Sequence, residues 1–516
     1  MSRTSNSIRN MTVSIAGQML TVIFQFITRT VFINALGTQY LGITGLFTNI
    51  ISMLSLTELG VGTAIIYKLY KPIEQNDEHR IYLLMKFYKA VYKIIGIAIL
   101  VIGLIILPFL KSIIKDDISF VNIYFIFLLY LLQSVASYLF FAYKSALIHA
   151  NQKEFITTGI GYVFVLISNI LQIIALSIFK NFTLYVTISI FTTVAMNMVI
   201  SIICDRMYPF INKKSNDTID KSEIKQIFKD CYALLIYKAN AVVLNATDNM
   251  VLSTFVGLSI VGIYSNYLMI FTFINTILTK IFSAITAGLG NLHASGDKEH
   301  EYEVFKNINF ISFVLFTVSS LGVAFASNQL IKVWLGEEFL LSHFTVLLLG
   351  YKMYLDGQKK VLSTYRSTMG LFQQAKYRPL FGAIINIVAS VILVNVMGIS
   401  GVILGTIIAD LLTYMWFDPF VIYKNAFTGS VKEYYVKRII YMIILIICTL
   451  VTALLIKYIA VTGIAGVLVN SLLCVIVPVL IICIIFHNTS EFKYALNIVK
   501  RFSGKFIKAA GNKKNV

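Results

Sequence analysis

Five residues of one stretch bring chemistry into an otherwise apolar sequence. Lys352, Asp356, Lys359, Ser363 and Arg366 recur at intervals of four, three, four and three, which puts them on one helical face with Lys360 at its edge. Three or four cations cannot be neutralised by one anion. The stripe therefore calls for water, another helix or an anionic ligand. The structural alternative is a wet ladder of Lys352–Asp356 and Asp356–Lys360 pairs at i,i+4 spacing. Gly357 marks a place where the helix would break, as discontinuous transporter helices do.

Two other apolar stretches carry polar faces. Ser14, Gln18, Thr21, Gln25, Thr28 and Arg29 share one. Lys238, Asn245 and Asn249 share another, with Asp248 at its edge. Charge in such surroundings is expensive and faces a cavity or a partner. Arg29 either snorkels to an interface, pairs with an acid such as Asp248, or grips an anion, since guanidinium binds phosphate bidentately and stays charged when partly desolvated. Asp248 and Asp356 are candidates for binding a coupling H+ or Na+ or for setting the resting conformation. Glu58 and Lys280 lie where gate contacts or ordinary interface charges belong. Asp410 stands alone and is open to pairing with a lysine of the stripe, whereas Asp418-Pro419 reads as a helix end.

No catalytic or metal constellation emerges. Cys204, Cys231, Cys448, Cys474 and Cys483 form no CxxC pair and read as buried small hydrophobes. His293 and His300 lack metal spacing. The sequence contains no GxxxxGK[ST], HExxH or GxSxG motif. An ATPase or conventional hydrolase is not expected, and transport is the default.

The elements that position these charges follow from composition. Of 516 residues, 58% are hydrophobic and only 13% charged, with mean hydropathy +0.81. Soluble domains carry about 25% charged residues, so this excess belongs in lipid. Apolar runs predict an all-α membrane protein with about fourteen spans near 10–34, 41–66, 82–110, 118–148, 156–179, 182–204, 231–256, 260–290, 305–331, 343–369, 379–397, 400–423, 438–456 and 462–486. The first run is too long for a cleaved signal and lacks a small-residue cleavage site.

The net charge is +19. In a lipid-embedded chain this concerns topology rather than nucleic acid. An even span count with both termini cytoplasmic leaves only Lys111, Lys115, Lys180, Lys332 and Lys457 on the outside, as the positive-inside rule requires. The surplus then faces anionic inner-leaflet lipid. The polar segment 205–229 separates an N-terminal lobe, 1–204, from a second, 230–423. Two extra spans fill 424–486, and a basic cytoplasmic tail covers 487–516. Phe492, Leu496, Val499, Phe502 and Phe506 among its lysines suit a surface helix or a solvated tail.

A repeat supports two lobes. Leu36-Gly-Thr-Gln-Tyr-Leu-Gly42 and Val256-Gly-Leu-Ser-Ile-Val-Gly262 each join two spans, offset by 220 residues. Gly60-Val-Gly62 and Gly288-Leu-Gly290 follow later in each unit. Six spans separate the units, so their orientations match. This predicts parallel repeats of six helices each in a pseudo-two-fold arrangement around a cavity.

Phe32 to Phe47, Leu56-Thr-Glu-Leu-Gly-Val-Gly-Thr-Ala64, Thr247 to Tyr264, and Asn386 through Thr406 resemble bacterial polysaccharide repeat-unit flippases of the Wzx type. These belong to the multidrug/oligosaccharidyl-lipid/polysaccharide exporter superfamily, and the resemblance covers nearly the whole chain. It implies two six-helix lobes, alternating access, and residence in the bacterial cytoplasmic membrane. The implied cargo is an oligosaccharide on undecaprenyl pyrophosphate, moved to the outer leaflet for capsule, O-antigen or a similar surface polymer. A polysaccharide polymerase and assembly proteins are implied partners. No cofactor beyond a coupling ion is expected. Moving a pyrophosphate bare through hydrocarbon is prohibitive, so Arg29, Lys238, Lys352, Lys359 and Arg366 are expected to contact the cargo. The rivals are a cation antiporter of the same superfamily, a membrane glycosyltransferase or polymerase, and a structural envelope subunit. The antiporter calls for a surplus of cavity acids, and the enzymes for a large extramembrane loop.

Overall fold

A computed structural model describes residues 3–55, 61–115, 121–212, 217–220, 222–225, 227–228, 247–295, 297–369, 371, 377–425, 427, 429–498 and 500. Among them the chain is helical, with no strand. The helices used below are α1 (Arg3–Leu36), α2 (Thr38–Leu54), α3 (Val61–Glu74), α4 (Glu78–Ile106), α5 (Ile123–Leu139), α6 (Ser145–Ala150), α7 (Glu154–Phe179) and α8 (Phe182–Met207). They continue as α9 (Leu258–Ser295), α10 (Lys298–Trp334), α11 (His343–Thr368), α12 (Arg378–Met397), α13 (Ile399–Leu412), α14 (Tyr414–Asn425), α15 (Val431–Ile459) and α16 (Gly463–Phe486).

Helix boundaries are set by residues that satisfy the free backbone donors of a first turn. Asp77, Asn122, Asn181 and Asp297 each accept from the N–H three residues on, opening α4, α5, α8 and α10. Gly37, Gly336 and Gly398 adopt positive φ between or beside helices, a conformation that suits a residue without Cβ.

Ten helices of the described residues are long and apolar enough to cross a membrane, and an eleventh span is formed if Ile123–Leu139 and Ala142–Ala150, bent by 45°, count together. The bend sits at Phe141, whose backbone is left-handed. Their outer faces are apolar: Ile464, Ile484 and Leu454 are 71%, 72% and 67% exposed. Such a belt is stable in lipid and not in water. The protein is a multi-pass membrane protein. Of the other expected spans, 41–66 and 231–256 run into residues outside the description. α11 has the length but is interrupted by its charges.

The chain divides into two compact units, Met1–Ser265 and Asn266–Val516. The expected linker, 205–229, thus falls within the first. In that unit α1 packs on α7, α7 on α8, and α4 on α5. Tyr162 of α7 fills the space beside Gly17 of α1, where a Cβ would come within 1.9 Å of the ring. In the second, α10 packs on α11 and α16, and α12 on α13. Gly350 and Gly357 of α11 permit its approach to α10: a Cβ at Gly357 would meet the Phe316 ring at 2.0 Å, and one at Gly350 the Ser320 carbonyl at 2.6 Å. Gly357 therefore does not break the helix as expected. α11 is continuous across it, and the glycine serves helix packing.

Candidate functional site

Because its glycines face α10, α11 turns its charged stripe towards α13 and α14. The Lys359 ammonium lies 2.6 Å from Asp356 on its own helix and 2.7 Å from Asp410 of α13. Asp410 is 2% exposed and Lys359 19%. Two turns on, Arg366 meets Asp418 of α14 at 3.4 Å, and Arg378 of α12 pairs with the same carboxylate. The Arg378 guanidinium also stacks on Tyr414, 3.8 Å from the ring centre. Lys352 is buried with its ammonium 6.0 Å from the centre of the Phe271 ring, and Lys360 donates to Thr279.

Asp410 takes the pairing with a lysine of the stripe that was open to it, and a second carboxylate, Asp418, meets Arg366. The expectation for Asp418 is revised, because it is not a helix-end device. It is fully buried inside α14, where it neutralises arginines from two other helices. Two guanidinium ions share this one carboxylate. Asp418 Oδ2 and Arg378 Nε have no hydrogen-bond partner among the described residues. Ions taken out of water at such cost are held by geometry, and removing one partner exposes the penalty.

In the first unit, α1 spends much of its polar face on α7. Thr28 donates to Asn169 at 3.0 Å, and the Tyr162 hydroxyl donates to the Ser14 carbonyl at 3.1 Å and reaches Gln18 at 3.4 Å. Gln25 is exposed. Arg29 is half-buried and donates to the Ser265 hydroxyl, with Tyr185 in electrostatic reach. Asp248 is buried beside buried Asn249. Lys238 and Glu58 lie outside the described residues.

Sequence reasoning missed two buried centres. Lys144 sits 2.6 Å from Asp205 and 2.8 Å from Ser201 Oγ, tying the bend after α5 to the end of α8. Arg438 of α15 donates to Gln358 at 2.7 Å and Tyr434 at 2.9 Å, anchoring one of the two extra spans to α11. The available signal was a lone cation inside an expected span, Lys144, and one at a span's first turn, Arg438.

A family model described as polysaccharide biosynthesis protein matches residues 7–286. The chain belongs to that family. Its fold is shared with solved transporters. A lipid II flippase, MurJ, in an inward closed conformation superposes with TM-score 0.61 at 14% identity, over 92% of this chain and 99% of that one. An inward-facing multidrug resistance MATE family transporter of the MOP superfamily gives 0.55 at 15% identity, over 79% and 97%. A MATE transporter from Vibrio cholerae gives 0.53 at 14%, over 83% and 99%. No curated protein matches the sequence. At these identities the structures establish the fold. The family match places the chain among proteins of polysaccharide biosynthesis, as the opening motifs implied.

Proposed function

We propose that the protein is a flippase that carries an undecaprenyl-pyrophosphate-linked oligosaccharide repeat unit from the inner to the outer leaflet of a bacterial cytoplasmic membrane by alternating access. The family match over 7–286 carries this reading. It is supported by a fold held in common with a lipid II flippase. The pyrophosphate needs a polar surround that replaces water. Arg29 is the first contact we assign to it: a half-buried guanidinium, planar and bidentate, that donates to the Ser265 hydroxyl. Lys238, Lys352, Lys359 and Arg366 are assigned to successive states, in which Lys359 and Arg366 exchange a carboxylate for phosphate. Asp248, Asp356 and Glu58 are assigned to ion coupling or gating, with H+ or Na+ as the ion. Both termini are assigned to the cytoplasm from the lysine and arginine bias, and a polymerase is the natural recipient of the product.

A cation antiporter is the second reading. The observation that favours it is the pair of carboxylates around Lys359, which removes part of the basic excess. Deleting the gene separates the two. Build-up of the lipid-linked oligosaccharide on the cytoplasmic leaflet, read with a membrane-impermeant sugar-modifying probe, with cationic dye efflux unchanged, supports the flippase. Normal lipid distribution with dye retention overturns it in favour of the antiporter.

A further inference from the structure

Away from the charge ladders, the end of α3 and the start of α4 enclose a cavity of about 640 Å³ lined by Tyr67, Lys68, Tyr70, Lys71, Glu74, Gln75, Asp77, Arg80 and Glu223, among others. Its charges are not equally available. Arg80 is committed to Glu223, and Asp77 caps α4 by accepting from the Arg80 backbone N–H at 2.9 Å. His79 and Lys86 hold Asp217, side chain and carbonyl, so Asp217 and Glu223 are both held against α4. What remains is two ammonium groups, Lys68 and Lys71, which make no ion pair or side-chain hydrogen bond among the described residues, against the single carboxylate Glu74.

The aromatic groups run in register with the cations. Tyr67 and Tyr70 occupy the same i,i+3 spacing one residue earlier, with ring centres 6.4 Å apart and edge to face. They are 73% and 48% exposed, although they are large aromatic side chains with a closed core close by. Exposed rings offer flat faces to the C–H side of a sugar, Glu74 and Gln75 offer acceptors and donors to hydroxyls, and paired ammonium ions offer counter-charge to a phosphoryl group.

We propose that this cleft is a docking site for a phosphorylated saccharide, in which Lys68 and Lys71 hold the phosphoryl or pyrophosphoryl group and Tyr67 and Tyr70 stack on the adjoining sugar. The assignment of this cleft to the cytoplasmic side rests on the orientation in the flippase reading. There it is a reception site, distinct from the intramembrane charges, that selects cargo before translocation. The same chemistry belongs to a lipid-linked pyrophosphoryl saccharide and to a soluble nucleotide sugar, and the test separates these sources.

The full chain in phosphatidylcholine nanodiscs would be titrated with inorganic pyrophosphate, with UDP-N-acetylglucosamine, and with undecaprenyl-pyrophosphoryl N-acetylglucosamine incorporated in the disc. Hydrogen exchange over 67–80 is the readout. Protection by the lipid-linked probe alone supports the site with a membrane-borne ligand, and protection by UDP-N-acetylglucosamine supports it with a soluble one. Lys68→Gln with Lys71→Gln is expected to weaken saccharide binding roughly tenfold or more, the loss of charge-assisted contacts, with Lys68→Arg and Lys71→Arg restoring it. Tyr67→Ala with Tyr70→Ala should lose the saccharides but keep pyrophosphate. Should the paired lysine change fail to fold, Lys71→Gln alone, at an exposed position, reads the same contact. Pyrophosphate binding without any saccharide binding, or saccharide binding unmoved by these variants, overturns the proposal. Failure of the wild-type protein to move lipid between leaflets would remove the flippase reading and leave the binding result standing.

Discussion

Gly42 and Gly262 make the same contact in equivalent places of the sequence repeat. A Cβ on Gly42 would lie 2.0 Å from the Leu258 carbonyl oxygen, and one on Gly262 would lie 2.3 Å from that of Thr38. Adding the 220-residue offset of the repeat to Thr38 and Gly42 gives Leu258 and Gly262. The starts of α2 and α9 thus pack on each other through equivalent residues, each glycine against the other helix's first carbonyl. Backbones approach this closely only where side chains are absent.

Gly42→Ala and Gly262→Ala are therefore expected to destabilise the protein alike, by about 1–3 kcal/mol each as overpacking does. Thermal melting in detergent checks it. Gly322→Ala, at a position with open space around it, is the control and should melt like wild type.

Asp418 holds two arginines, so its loss should cost more than the loss of either. Asp418→Asn takes the shared carboxylate from both Arg366 and Arg378, and a penalty of roughly 3–5 kcal/mol is expected. Arg366→Met leaves the Arg378–Asp418 pair intact and should cost clearly less. Melting temperatures of the two variants in that order support the triad; the reverse order contradicts it.

Lys359 separates a structural from a cargo role. Lys359→Met leaves two carboxylates, Asp356 and Asp410, facing each other, and is expected to destabilise strongly. Pairing it with Asp410→Asn should recover most of the stability. Flipping restored along with stability would show Lys359 to be structural. Stability without flipping supports its assignment to cargo.

Arg29 is tested by a change that keeps charge and loses the planar fork. Arg29→Lys should insert and fold normally while flipping falls, since an ammonium does not bind phosphate bidentately. Flipping at the wild-type rate would remove Arg29 from the cargo path.

Glu491 ties the segment after α16 to α15 through Lys437. Burial works against its carboxylate, but the Lys437 ammonium, its own backbone N–H and the Ser490 hydroxyl outweigh burial and hold it below the usual value of 4.5. A lowered folded-state pKa stabilises docking above the unfolded value and loses that contribution as pH falls through the folded one. Protection from hydrogen exchange over 487–498, corrected for the intrinsic rate at each pH, should be high at pH 6 and fall as the pH drops through the folded-state value of Glu491. Protection that is unchanged across that acid range would show that Lys437 does not hold this segment.

The sequence by itself determined the class of fold. With so many apolar residues and so few charges, backbone groups must be satisfied within each segment, and helices are the form that does so in runs of this length. Periodicity likewise determined that Lys352, Asp356, Lys359 and Arg366 share a face, because 3.6 residues per turn leaves no other arrangement. The repeat was legible as two glycine motifs at a fixed offset. Only the tertiary structure decided what those charges meet. Lys359 and Asp410 are 51 residues apart, Arg366 and Asp418 are 52, and Lys144 and Asp205 are 61. No local period encodes such pairs; they form because Gly350 and Gly357 turn one side of α11 into α10 and leave the other for α13 and α14. The same packing made Gly357 a contact instead of a hinge. Which cation is neutralised and which is left for a ligand is a property of neighbours in space, and spacing along the chain gives only the face they share.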